Sequence, residues 1–98
     1  MPKAYVIYQE AMKDEDGMNA YAAAAMGTFA GSGGTIAGFD DNVEVLEGEW
    51  FGNRTVILEF ESVDAAKAWY NSPAYQEAIP LRQKAADSNV VIVSGFGV

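Results

Sequence analysis

Residues 54–76 read RTVILEFESVDAAKAWYNSPAYQ, and the change of rhythm inside this stretch decides the fold. Its first part, RTVILEFE (Arg54 to Glu61), is β-branched and aromatic and follows the turn FGN, which predicts a strand. Near Ser62 the pattern turns helical. The body VDAAKAWYN stops at the dipeptide SP, where Ser72 can cap a new helical piece and Pro73 takes its first position. Pro80 is expected to kink that piece or divide it. The chain then closes with NVVIVSGF (Asn89 to Phe96), a last strand.

Working upstream, KAYVIYQ (Lys3 to Gln9) predicts the first strand. Asp14 or Asp16 can cap a helix in which Met18, Tyr21, Ala22, Ala25 and Phe29 recur at helical spacing, and GSGG (Gly31 to Gly34) stops it. TIAGFD and VEVLEGEW flank a turn at Asp41 and Asn42 and read as an interrupted strand or a small hairpin. The order is βαββαβ without linker or repeat. It predicts one ferredoxin-like α+β sandwich over residues 1–98, an antiparallel sheet with two helical regions on one face.

The strands carry a further clue, because AYVIY, TVIL and VVIV are apolar at successive positions. A sheet with one wet face should alternate apolar and polar residues, so both faces are expected to be buried. Two helices can cover only one of them. A second copy of the sheet, stacked face to face in a two-fold homodimer, would cover the other.

Composition limits the chemistry. The chain has 98 residues, half of them apolar and 12% aromatic, enough for a modest core. No run of eighteen apolar residues occurs, and the opening MPKAYVIYQE lacks the longer apolar region of a secretion signal, so a cytoplasmic location is expected. Cysteine and histidine are both absent. That removes disulfides, thiolate nucleophiles, Ser-His-Asp triads and thiol or imidazole metal sites, and leaves Tyr, Arg, Lys, carboxylates and water for any catalysis. The net charge is -8, with six basic residues scattered along the chain, which argues against nucleic acid and anionic membranes as partners.

Two motifs are set aside, and no cofactor or metal is expected. In DDNVEVLEGEW, Asp40, Asn42 and Glu44 alternate as in a calcium loop, but Val45 stands where such a loop needs Gly and Phe51 where it needs Glu. It reads as a solvated hairpin. GSGG follows a helix and precedes a strand, the reverse of a dinucleotide fingerprint.

VEVLEG, RTVILEF, AAKAWY, SPAYQ, the LR at Leu81 and Arg82, and the closing VSGF together resemble the DUF1330 family of domains of unknown function, in the dimeric α/β-barrel superfamily. The resemblance covers nearly the whole chain, and its specific parts are Glu59 and Phe60, the segment WYNSPAYQ from Trp69 to Gln76, and Leu81 with Arg82. It implies a ferredoxin-like protomer and a homodimer, and no established activity. Many relatives carry a basic residue shortly before the turn after the second strand, where this chain has IAGFDDN. An anion site shared by the family would be weaker here.

Candidate site residues follow from spacing and chemistry. Tyr75, Ile79 and Arg82 stand at i, i+4 and i+7, so one helical face presents a guanidinium beside apolar neighbours. An Arg there needs an anion, either an internal carboxylate, with Glu59 the obvious choice, or a ligand carboxylate or enolate held by Arg82 together with Arg54. Trp69, Tyr70 and Tyr75 read as core and cap residues whose polar tips still need partners. Tyr21 is the first choice for a proton donor or ligand hydrogen bond. The candidate ligand set is therefore Tyr21, Arg54, Glu59, Trp69, Tyr70, Tyr75 and Arg82, with Tyr21, Glu59 and Arg82 as candidate catalytic groups. Two functions fit: a binding module for a small apolar or aromatic molecule bearing a carboxylate or carbonyl, or a cofactor-independent monooxygenase or isomerase of the kind the superfamily includes.

Overall fold

The computed structural model describes residues 2–97. Its elements run β1 (Ala4–Met12), α1 (Glu15–Phe29), β2 (Thr35–Asp40), β3 (Arg54–Phe60), α2 (Val63–Tyr70), α3 (Pro73–Ala85) and β4 (Ala86–Ser94). The four strands form one antiparallel sheet in the order β2-β3-β1-β4, and the helices lie on one face of it: a ferredoxin-like α+β fold.

The serine cap expected at Ser72 is present, and Ser62 caps the preceding helix as well. Ser62 accepts from the Ala65 amide and Ser72 from the Tyr75 amide, with Pro73 at the first turn, where its missing N–H costs nothing. Asp14 holds the N-cap position of α1 without a side-chain cap bond. Pro80 does not divide α3, which runs through to Ala85; the buried Tyr75, Ala78, Ile79, Arg82 and Ala85 hold the helix together around it. The last strand consequently starts at Ala86, three residues before the sequence pattern suggests.

VEVLEGEW forms neither strand nor hairpin arm. Of the two segments TIAGFD alone pairs with β3, and residues 41–53 are irregular. With β3 flanked by β2 and β1, no edge of it is left for these residues. They are pinned instead at two points. The Trp50 indole donates to Thr55 Oγ1 at 2.8 Å, and the Asn53 amide donates to the Glu10 carbonyl at 3.0 Å. Gly52 makes this approach possible: its φ is +76°, and a Cβ built there would lie 2.3 Å from the Glu10 carbonyl oxygen.

Cross-strand register sorts the residues by face. On the helix side, Ala4, Val6, Tyr8 and Glu10 of β1 stand beside Phe60, Leu58, Val56 and Arg54 of β3. The core of Val6, Leu58, Phe60, Ala66, Trp69, Tyr75 and Ile79 is built on this side. On the other face Ile57, Ile7 and Val91 form a row across three strands, with Tyr5 and Val93 beside it. Nothing among the described residues covers much of that side: Val91 is 52% and Val93 42% exposed.

Candidate functional site

Small residues on α1 leave room between the helix and the sheet. Met18, Tyr21, Ala22, Ala25 and Phe29 form one wall of a cavity of about 110 Å³; Tyr8, Glu10, Val56 and Leu58 form its floor, and Trp69 closes one end. Its rim, Met26, Ile36 and Phe39, is exposed, and Phe39 is 57% open to solvent. Arg54 also lines it. A cavity of roughly 150 Å³ holds a benzene ring, so this open one suits the end of a molecule of about that width.

Polar groups converge behind the apolar walls. The Tyr75 hydroxyl, completely buried, lies 2.8 Å from that of Tyr8 and 2.6 Å from that of Tyr21. Three hydroxyls joined by two hydrogen bonds leave one O–H proton free to be donated elsewhere. Burial, and then the neighbouring tyrosines, push the titration of Tyr8 and Tyr21 well above the ordinary phenol range. Both remain neutral donors and acceptors, and neither can serve as a base near neutral pH.

Glu10 is 2% exposed, with Ser88 Oγ donating to it at 3.5 Å. It sits across the strands from Arg54 on one side and Ser88 on the other. Burial raises its titration above the usual carboxylate range, opposed by the charges of Arg82 and Arg54. Arg82, 4% exposed, lies 5.6 Å from the Tyr8 ring centroid and 5.8 Å from that of Tyr21, a cation–π arrangement with the two rings that line the cavity. Its buried Nε has no hydrogen-bond partner among the described residues. Burial opposes its charge, and the surrounding tyrosines, Tyr75 first, outweigh that effect and hold its titration above the ordinary value.

The expected pairing of Arg82 with Glu59 does not form. Glu59 stands beside Tyr5 on the opposite face of the sheet, where it accepts from the Tyr5 hydroxyl at 3.1 Å and from Lys3 Nζ at 3.3 Å. A strand reverses its facing at every residue, so Glu59 cannot reach the helices from a position between Leu58 and Phe60. Of the other candidates, Tyr21, Arg54 and Trp69 line the cavity. Tyr75 and Arg82 are joined to it through Tyr8 and Tyr21. Tyr70 packs against Tyr75 with centroids 5.4 Å apart and lies outside the lining. The Trp69 indole donates to Thr28 Oγ1 at 3.2 Å. No cluster of three metal-binding side chains occurs among the described residues, and no helix among them is long and apolar enough to cross a membrane.

The model of a family described as a domain of unknown function (DUF1330) matches residues 3–96. The chain belongs to the DUF1330 family. No curated protein matches it. Among solved structures, a protein of unknown function from Rhodopseudomonas palustris is similar at 21% identity with TM-score 0.72, over 99% of this chain and 85% of that one. A dimeric ferredoxin-like protein of unknown function from Thermobifida fusca aligns at 14% identity and TM-score 0.66, covering 95% of this chain and 91% of its own. SnoaB, a cofactor-independent oxygenase from Streptomyces nogalater, aligns at 11% identity and TM-score 0.67 over 100% and 97% of the two chains. At such identities the likeness concerns the fold alone.

In this DUF1330 domain two groups at the cavity floor, Tyr8 and Glu10, escaped the sequence reading. The available signal was their alternation with Ala4 and Val6, four positions on one side of β1. An acidic residue at the end of an otherwise buried alternating set is a mark of a polar group held against the helices.

Proposed function

We propose that this DUF1330 domain is a cytoplasmic homodimer that binds a small, mainly apolar or aromatic molecule bearing a carbonyl or carboxylate oxygen, in the cavity between α1 and the sheet. The single observation that carries the binding reading is the cavity itself, with apolar walls around buried polar groups of three kinds: a tyrosine hydroxyl cluster, a carboxyl and a guanidinium. Apolar burial supplies the affinity, and the free hydroxyl proton gives a ligand oxygen a donor. The apolar row of partly exposed Ile7 and Ile57 and exposed Val91 supports the dimer, since a second copy would remove it from water.

A second reading, a cofactor-independent enzyme, is favoured by Glu10. A buried carboxyl whose titration lies above its ordinary range, at the floor of a cavity, is suited to accept a proton from a bound phenol or from carbon beside a carbonyl. In that role Glu10 replaces Glu59, with the hydroxyls of the tyrosine cluster steadying the oxyanion and Arg82 acting from behind the Tyr8 and Tyr21 rings. Thermal-shift screening of phenols, dihydroxy-aromatics and aromatic acids, followed by oxygen uptake and proton exchange for each hit, separates the readings. Hits recovered unchanged support a binding module; turnover that is lost in Glu10→Gln supports the enzyme; a screen in which no such compound stabilises the protein contradicts both.

A further inference from the structure

Arg54 lines the cavity, yet its guanidinium is held from outside by a surface carboxylate. Nε and Nη2 donate to the two oxygens of Asp41, while Cζ sits 4.6 Å from the centroid of the Phe39 ring at the cavity rim. We propose that the site takes an aromatic carboxylic acid, bound ring-first, whose carboxylate displaces Asp41 from Arg54. This inference rests on the cavity being a ligand site and adds the class of ligand and its orientation.

The guanidinium is pre-organised for the exchange. Stacking on Phe39 fixes its plane, and β3 anchors its stem, so the edge now facing Asp41 is a two-pronged carboxylate seat. Asp41 is a replaceable occupant. Its side chain is 52% exposed on the irregular segment after β2, and among the described residues it makes no hydrogen bond other than those to Arg54. Released, it returns to water at little cost. One carboxylate leaves as another arrives, so charge and hydrogen-bond count at Arg54 are conserved, and burial of the ring provides the net gain.

Orientation follows from what the floor offers. A carboxylate pushed inward would meet the Glu10 carboxyl, while the Arg82 guanidinium lies against the Tyr8 and Tyr21 rings and does not line the cavity. At the rim the same carboxylate meets Arg54. The inward end of the ring then reaches the tyrosine cluster, whose free O–H proton can be donated to a phenol or carbonyl oxygen.

Calorimetric titration with 4-hydroxyphenylacetate and its uncharged amide, 4-hydroxyphenylacetamide, tests this on the wild-type chain, Arg54→Gln and Asp41→Asn. In Asp41→Asn, whose Arg54 seat has no competing carboxylate, the acid is expected to bind about tenfold more tightly than the amide, the usual scale of a charge-assisted pair over a neutral one; in wild type, where Asp41 must leave first, the preference is smaller. Asp41→Asn, an exposed change that leaves the fold intact, should tighten the acid several-fold and leave the amide unchanged. Arg54→Gln should bring the acid down to the level of the amide. Equal binding of acid and amide to Asp41→Asn, or acid binding no tighter by Asp41→Asn than by wild type, overturns the exchange while leaving the cavity reading in place. Failure of both compounds to bind wild type overturns the cavity reading and the exchange with it.

Discussion

Each face of the sheet carries one row that departs from the usual arrangement of polar and apolar groups. The covered face holds the polar row Arg54, Glu10 and Ser88, and beside it the Tyr8 hydroxyl; the bare face carries the apolar row Ile57, Ile7 and Val91. Desolvating a carboxyl, a guanidinium and several hydroxyls opposes folding, while leaving aliphatic groups in water forgoes stabilisation. Each face thus departs from what folding alone favours, in the direction expected of a ligand site on one side and a partner on the other.

The largest expected effect breaks the covered face. Trp69 packs at 4.0 Å between centroids on Tyr75 and at 5.5 Å on Phe60, so Trp69→Ala should cost about 3–5 kcal/mol in urea unfolding. The matching change on the bare face acts on assembly. Ile57→Asp puts a charge in the middle of the apolar row, and light scattering should fall from the mass of two chains to that of one with the fold retained. If wild type already scatters as one chain at micromolar concentration, the bare face needs another explanation.

A smaller change sharpens the account of the hydroxyl cluster. Tyr75→Phe deprives both Tyr8 and Tyr21 of their bridging oxygen and should cost about 1–3 kcal/mol, measured by the same unfolding experiment. Tyr5→Phe on the opposite face, where the hydroxyl donates to the partly exposed Glu59, should cost clearly less. The smallest effect concerns pH. Because the Glu10 carboxyl titrates above its ordinary value in the folded protein, the folded state holds more protons there than the unfolded chain. Its contribution to stability is therefore fully present below the ordinary carboxylate value and is lost as pH rises through the folded value. Glu10→Gln should flatten that fall in stability.

How much of this was legible depends on a parity. The element order, the cap at Ser72 and the burial of Arg82 follow from local patterns: a run of β-branched residues, a capping serine before proline, apolar neighbours at helical spacing. The separation of Arg82 from Glu59 did not follow. A strand that alternates cleanly announces which of its two sets of side chains faces the helices, whereas AYVIY and TVIL are apolar in both sets. Which carboxyl faces the helices, Glu10 and not Glu59, therefore turns on a phase that these runs conceal, and only the register of β1 against β3 reveals it. VEVLEGEW shows the converse: it alternates like a strand but pairs with none, although the outer edge of β2 is open, and the segment is held instead by the Trp50–Thr55 and Asn53–Glu10 hydrogen bonds.

Methyl NMR reports the two faces separately and tests the central claim most directly. On titration with 4-hydroxyphenylacetamide, saturable shifts should appear at Met18, Ala22, Ala25, Val56 and Leu58, which line the cavity, while Ile7, Ile57 and Val91 stay unmoved. Shifts centred on Ile7, Ile57 and Val91, or no saturable shift on either face, would contradict the assignment of the covered face as the ligand site.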